Sequence, residues 1–407
     1  MINIPLSKLY NKKKKFDLKD YKTPFFFKEV KGYKLACYPR FKNKNFWKPS
    51  SKQKKIKVLI ISGPGRSGNH LLNSLIDGNK SFARTAGEDS FVANLLNQTN
   101  KNEKNLIKKI RSGRLNFNIK LSQFFKKNFI PRNKWLRVYN TSILYSKKNH
   151  KQKKNFFEKW YYRPSGNQPA KSNYILDYKN FIPNLDYVGF KKYFRINKKK
   201  FYKIKNVFDF IFLYLEALKV LMRSEKKKYT YKNILFNSGM RRESYFLLKN
   251  LKGSILICPI REFDGMLLSF LKARHGFKES QKIDKKKVLL YWEFWRHKVI
   301  DYLILQKKFP KRVFIISYEN LVKYPEKSMR LILKKLNVKF EKINKYTTIQ
   351  DKLVLGNSSF NIKSRSKSGK VYKNNFLKEF KIKDRVKMTT EYYDILKYLN
   401  KKVINKI

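Results

Sequence analysis

The stretch Lys57-Val-Leu-Ile-Ile-Ser-Gly-Pro-Gly-Arg-Ser-Gly-Asn-His-Leu-Leu-Asn-Ser-Leu-Ile76 decides the fold. Its opening, Lys57-Val-Leu-Ile-Ile61, is a short β-branched apolar run bounded by a Gly-Pro-Gly turn, which predicts a buried strand. His70–Ile76 then places Leu71, Leu72, Leu75 and Ile76 at the spacing of a helix's core face. Strand, glycine-rich loop and helix, in that order, are the setting a phosphate-cradling loop requires. Gly63 and Gly68 have the spacing G-x-x-x-x-G. Glycines let the backbone curl until its N–H groups point inward at an anion, and the helix N-terminus adds partial positive charge. The competing reading of such a loop is an ordinary tight turn.

What surrounds the glycines narrows the chemistry. A nucleotide-triphosphatase loop continues with Lys and then a magnesium-holding Ser or Thr. Here Asn69 and His70 stand in those places, and no clear acidic magnesium ligand follows at a strand end. The cation has moved inside the loop, to Arg66. A guanidinium there suits a metal-free reaction in which charge builds on a leaving phosphate.

Working outward, Ser254–Cys258 and Arg312–Ser317 read as two further buried strands. Val207–Met222, Gly265–Ala273, Tyr291–Leu305 and Glu326–Leu336 read as helices. Strands alternating with helices predict an α/β fold, a three-layer sandwich with a central parallel sheet. The predicted organisation is a basic N-terminal extension over 1–55 and an α/β domain over 56–400. That domain is interrupted at 101–230 by a large, mostly helical, lysine- and aromatic-rich insertion or cap.

Gly63-Pro-Gly65-Arg66-Ser67-Gly68-Asn69-His70 resembles the 5′-phosphosulfate loop of the P-loop sulfotransferases, whose usual ending Arg/Lys-Ser-Gly-Thr-Thr is replaced here by Asn69-His70. Both replacements can still donate hydrogen bonds to phosphate. Cys258-Pro-Ile-Arg261 followed by Ser269 resembles the same family's 3′-phosphate element, an Arg closing a strand and a Ser eight residues on. A charged fork with a hydroxyl is a sensible reader of a terminal phosphate. Val313–Ser317 followed by Tyr318-Glu319-Asn-Leu resembles the family's next strand, and by that resemblance Tyr318 lies near the adenine. Asn357–Lys370 is loosely similar to the C-terminal cofactor loop, which makes Arg365, Ser368, Gly369 and Lys370 candidates. The resemblance implies the donor 3′-phosphoadenosine-5′-phosphosulfate (PAPS), no metal, and transfer of a sulfuryl group to an acceptor hydroxyl.

That transfer needs a base for the acceptor proton. Gly87-Glu88, 22 residues after Arg66, resembles the element carrying the general base in Golgi-type and tyrosylprotein sulfotransferases. Their pattern, with that of bacterial members, is closer than that of the cytosolic small-molecule enzymes. The alternative for this segment is a helix N-cap, for which Asp89 is the better residue. His150, His275 and His297 lie outside the cytosolic enzymes' histidine motif and read as structural.

Composition bounds the rest. The 407 residues hold 97 Lys and Arg against 28 Asp and Glu, a net charge of +69. Residues 56–100 are nearly neutral, and the excess sits in runs such as Lys12–Lys15 and Lys285–Lys287. Diffuse lysine of this kind fits an A/T-rich coding bias better than an organised nucleic-acid stripe, while still attracting anions at long range. No specific nucleic-acid partner is expected. Two cysteines, Cys37 and Cys258, build neither a disulfide framework nor a zinc site. Met1–Lys15 has no apolar signal core, and Val207–Met222 carries charges, so a cytoplasmic protein without a transmembrane segment is expected, with peripheral membrane contact left open. The acceptor is read as a hydroxyl compound, with a glycan favoured because aromatic and lysine residues of the insertion could stack on sugars. The alternatives are a P-loop nucleotide kinase and a non-catalytic polyanion- or nucleic-acid-binding protein.

Overall fold

In the computed structural model the opening stretch forms strand β1 (Val58–Ile61) and helix α1 (Asn69–Ile76). The structure describes residues 2–3, 16–21, 57–84, 104–105, 107–108, 203–221, 233–237, 241–275, 285–349, 352–353, 386–387 and 390–406. After α1 come β2 (Phe82–Arg84), α2 (Val207–Leu221), β3 (Asn233–Asn237), α3 (Arg241–Asn250) and β4 (Ile255–Ile260). They are followed by α4 (Phe263–His275), α5 (Lys285–Lys308), β5 (Val313–Ser317), α6 (Tyr318–Lys323), α7 (Pro325–Lys335) and α8 (Thr390–Asn400).

The five strands form one parallel sheet in the order β2-β3-β1-β4-β5. From β1 the chain leaves through α1 toward β2, on one side. From β4 it leaves through α4 and α5 toward β5, on the other. The crevice at the carboxyl ends of neighbouring β1 and β4 is therefore a topological switch point, where open α/β sheets bind ligands.

Alternating side chains divide the core between the two faces. Val58 and Ile60, with Leu256, Cys258, Val313 and Ile315, pack on α2, α3, α4, α5 and α8. Leu59 and Ile61, with Ile257 and Ile316, pack on α1 and α7 through Leu72, Leu75, Met329 and Ile332. The first cluster centres on α5, which sets Trp292 and Trp295 at a centroid separation of 5.5 Å against Phe263 and Tyr392. Burying each indole contributes roughly 4 to 6 kcal/mol before chain entropy is counted.

β4 runs beyond the expected Ser254–Cys258, through Pro259 to Ile260. The register explains how a proline fits a central strand. Ile257 accepts from Ser62 on the β1 side and Leu256 donates to Arg312 on the β5 side. Alternation then turns the missing N–H of Pro259 toward β1, whose last partner is Ile61 opposite Ile257. No ladder hydrogen bond is lost there. From the 1–55 segment, residues 16–21 pack on α5 and α8: Leu18 is buried, and Tyr21 accepts a 2.7 Å hydrogen bond from Arg296, which also pairs with Glu391. Most of the 101–230 region lies outside the described residues, although α2, which lies wholly within it, belongs to the core and not to the expected insertion. Among the described residues no helix is long and apolar enough to cross a membrane.

Candidate anion-binding site

The loop after β1 coils through two left-handed residues, Arg66 at φ 65° and Gly68 at φ 92°. Ser67 N–H donates to the Pro64 carbonyl at 3.2 Å, closing the turn, and Gly68 starts α1 by accepting from Leu72 N–H at 2.9 Å. An arginine in the left-handed region costs about 1 to 2 kcal/mol, so the fold holds this residue against its preference. The Ser67 hydroxyl is buried and has no hydrogen-bond partner among the described residues. Asn69 acts locally, its amide donating to the Gly63 carbonyl at 3.3 Å and tying the two ends of the loop together. Its Oδ1 is buried without a partner among the described residues. His70 is exposed on the first turn of α1. Gly63 lies against the Pro259 carbonyl, and Gly65 against the rings of Phe270 and Phe294.

The second element meets the first directly. Arg66 Nε donates to Ser269 Oγ at 2.9 Å, across 203 residues of chain. Ser269 is buried on α4. Arg261, at the exit of β4, sets its guanidinium 4.5 Å from the centroid of the Tyr318 ring. On the ring's other contact, with Gly68, the constraint is steric: a β-carbon on Gly68 would run into the Tyr318 ring, 2.9 Å from Cε2. Gly68, Tyr318 and Arg261 therefore form one stack that joins the exits of β1, β5 and β4. Gly265 lets the guanidinium lie flat on the first turn of α4, since a β-carbon there would sit 2.7 Å from Arg261 Nε. Trp295 Nε1 donates to the Arg261 carbonyl at 2.8 Å, fixing the backbone from α5. Arg261 Nε itself is buried without a hydrogen-bond partner among the described residues.

Behind this stack lies Glu319. Its Oε1 accepts from Glu262 N–H at 3.1 Å and its Oε2 from Ser317 Oγ at 3.2 Å. Although the residue is half-buried overall, close packing around its carboxyl group raises the pKa from 4.5 to about 7, and the neighbouring Glu262 carboxylate adds to the rise. The hydrogen bond from Glu262 N–H and the charge of Arg261 pull the other way. Burial likewise pushes the Tyr392 phenol up, with Asp264, Glu262 and Glu319 adding.

Of the residues singled out in the sequence, the loop, Arg261, Ser269 and Tyr318 converge on one crevice. Glu88, Asp89, His150, Arg365, Ser368, Gly369 and Lys370 lie outside the described residues. His297 is buried on α5, with its Nε2 3.2 Å from Glu293 Oε2. Glu319 lies in the Tyr318-Glu319-Asn-Leu segment but carried no role there, and Trp295 had no motif to mark it. The available signal was an acid directly after Tyr318, and a tryptophan on the helix following Arg261. Among the described residues no group of three or more His, Cys, Asp and Glu side chains is placed to hold a metal ion. Chemically, the crevice offers loop N–H groups, two guanidinium groups and two hydroxyl groups, a donor set that suits an anion with two separated charged ends.

No protein-family model matches the sequence, and no curated protein does. Among solved structures, the chain is similar to the sulfotransferase domain of the Synechococcus PCC 7002 olefin synthase, at 13% identity over 86% of this chain and 90% of that one, with a TM-score of 0.40. It is similar to the sulfotransferase domain from the curacin biosynthetic pathway at 13% identity, over 85% and 98% of the two chains, with a TM-score of 0.43. The sulfotransferase STF9 from Mycobacterium avium is similar at 12% identity, over 72% and 66%, with a TM-score of 0.35.

Proposed function

We propose that the protein is a sulfotransferase that moves a sulfuryl group from PAPS to an acceptor hydroxyl. The observation that carries this reading is the 2.9 Å hydrogen bond from Arg66 to Ser269. It joins a phosphate-type loop to a second anion element within one crevice, with Arg261 held beside it on Tyr318. The fold that accompanies the reading is the three-layer sandwich, with the 101–230 region apart from α2 as an insertion.

PAPS supplies the sulfuryl group in activated form. The orphaned Ser67 hydroxyl and the orphaned Arg261 Nε–H fit a ligand with phosphate at both ends. In the proposed mechanism the loop N–H groups and Ser67 hold the 5′ end, and Arg66 offsets the charge that develops on the leaving phosphate. Arg261 and Ser269 read the 3′-phosphate, and Tyr318 offers a face to the base. Glu88 takes the proton of the acceptor hydroxyl as its oxygen bonds to sulfur, and 3′,5′-adenosine bisphosphate departs. Asn69 and His70 occupy the places of the triphosphatase lysine and magnesium-holding hydroxyl, so the proposed transfer assigns no metal a role. We place the enzyme in the cytoplasm, with a hydroxyl acceptor such as a glycan and no specific nucleic-acid partner.

Thermal unfolding with 3′,5′-adenosine bisphosphate and with ATP–Mg²⁺ tests this. The bisphosphate should stabilise more, and Arg261→Ala should abolish the difference. A preference for ATP–Mg²⁺ sinks the reading in favour of a kinase. Salt-sensitive binding to nucleic acid with neither nucleotide effect would favour a binding protein. Glu88→Gln should bind the bisphosphate normally and lose turnover.

A further inference from the structure

Three of the site's contacts trace back to a residue near the far end of the chain. After α8 the backbone returns beside β5, where Val403 bridges Ile315 and Ile404 N–H donates to the Ile315 carbonyl at 3.0 Å. This places Asn405, fully buried, against Ser317. Its Oδ1 accepts from Ser317 N–H at 2.8 Å and its Nδ2 donates to the Ser317 carbonyl at 3.0 Å. The side-chain amide thus imitates a neighbouring strand and satisfies both backbone groups of the last residue of β5. Nδ2 also reaches Ser328 Oγ at 3.3 Å, and the Asn405 carbonyl accepts from Asn320 Nδ2 at 3.0 Å.

Ser317 passes the restraint on. Its hydroxyl accepts from Asn320 N–H at 3.1 Å, capping α6, and donates to Glu319 Oε2. Glu319 Oε1 then receives the N–H of Glu262, the residue after Arg261. A carboxylate beside a second acid is an expensive choice for a buried cap, since a neutral acceptor would escape the repulsion. Its two oxygens, however, carry the join between β4 and β5 past its last ladder pair, Ile260 opposite Ser317, to Glu262. We propose that Glu319, anchored through Ser317 by Asn405, is a positioning residue for Arg261. It fixes the backbone from which the guanidinium reaches across the Tyr318 ring, and so sets the affinity for the second phosphate.

This role rests on the reading of Arg261 as the 3′-phosphate element. Calorimetric titration with 3′,5′-adenosine bisphosphate and with adenosine 5′-monophosphate reports the second phosphate as a ratio of affinities. The wild type should favour the bisphosphate by about tenfold or more. Glu319→Ala should lose most of that ratio while monophosphate affinity moves less than about threefold. Glu319→Gln keeps an acceptor for Glu262 N–H and should restore the ratio. Asn405→Ala leaves the carboxylate in place, should reduce the ratio by about threefold, and serves as the test if Glu319→Ala does not fold. A wild type with no preference overturns the nucleotide reading and the role of Glu319 with it. A wild-type preference that Glu319→Ala retains, or an equal loss of both nucleotides, overturns the positioning role alone. If only Asn405→Ala folds, an unchanged ratio in that variant does the same.

Discussion

Replacing Glu319 by Gln should make the protein more stable at neutral and alkaline pH, and the size of the gain can be worked out. The carboxyl titrates near 4.5 when unfolded and at about 7 when folded. Folding therefore favours its protonated form. The contribution to stability is fully present below pH 4.5 and is lost as pH rises through 7. At about 1.4 kcal/mol per pH unit, the rise amounts to a penalty of about 3 kcal/mol above pH 7. Roughly 1 kcal/mol of it has already developed at pH 5, where the unfolded carboxyl is partly ionised. Glu262 strengthens the effect by repulsion, while Arg261 and the N–H of Glu262 weaken it. A glutamine of the same shape can accept from Glu262 N–H and carries no charge at any pH. Urea unfolding of both proteins at half-unit steps from pH 5 to pH 8 measures the difference, and subtraction removes every other titrating group. The variant should gain about 2 to 3 kcal/mol on the wild type over that range. Two curves that stay parallel within about 0.5 kcal/mol would refute the reasoning, because the carboxyl would then be solvated in the folded state.

Other changes probe the stack and its supports. Gly68→Ala forces a β-carbon at φ 92° into the Tyr318 ring and should cost about 2 kcal/mol or more in urea unfolding; a loss under about 0.5 kcal/mol would mean the ring does not lie there. Ser269→Ala removes the acceptor for Arg66 Nε and should weaken bisphosphate binding about tenfold by titration, so unchanged affinity would contradict the join between the two elements. Trp295→Phe strips the buried Arg261 carbonyl of its donor and should cost about 1 to 3 kcal/mol beyond the loss of indole packing. Trp292→Phe is the matched control, since its Nε1 has no hydrogen-bond partner among the described residues to lose, and equal costs for the two would deny the hydrogen bond its role.

Much of the sheet could be read because its strands announce themselves. Val58–Ile61 and Val313–Ser317 are β-branched runs between turn residues, and buried parallel strands carry that signature. Asn233–Asn237 was harder: its one β-branched residue, Ile234, lies between asparagines that read as loop. Phe82–Arg84 is shorter still, and three residues hold no period to detect. Pro259 hid the end of β4, because a proline argues against a central strand until the neighbouring strand is known to have stopped. Tyr291–Leu305 was visible as a helix from its tryptophans, while the lysines at each end of Lys285–Lys308 carry no face to read.

The site divides along the same physical line. Backbone-driven elements are local in sequence, so the loop at Gly63–Gly68 could be read from its glycine spacing, and the Arg261–Ser269 pair from a local resemblance to the 3′-phosphate element of the sulfotransferases. What couples them is not local. The bond from Arg66 to Ser269 crosses 203 residues, and the clasp of Asn405 on Ser317 crosses 88. Ser317 closes a legible strand, but nothing local marks the role of its hydroxyl, and Asn405 belongs to no pattern, since a single serine or asparagine has many local uses. Their roles follow from topology: a parallel sheet sends every strand exit to one edge, and the final segment returns there beside β5. An asparagine at that return can stand in for a strand because its amide carries a donor and an acceptor in the peptide's own geometry. Aspartate at 405 would keep the acceptor for Ser317 N–H but set its second oxygen against the Ser317 carbonyl, and leucine would offer neither group. If the clasp holds the β5 exit as argued, Asn405→Asp should therefore destabilise the protein at least as much as Asn405→Leu, although aspartate is the closer isostere. The opposite order in urea unfolding would show that Asn405 fills space there and holds nothing.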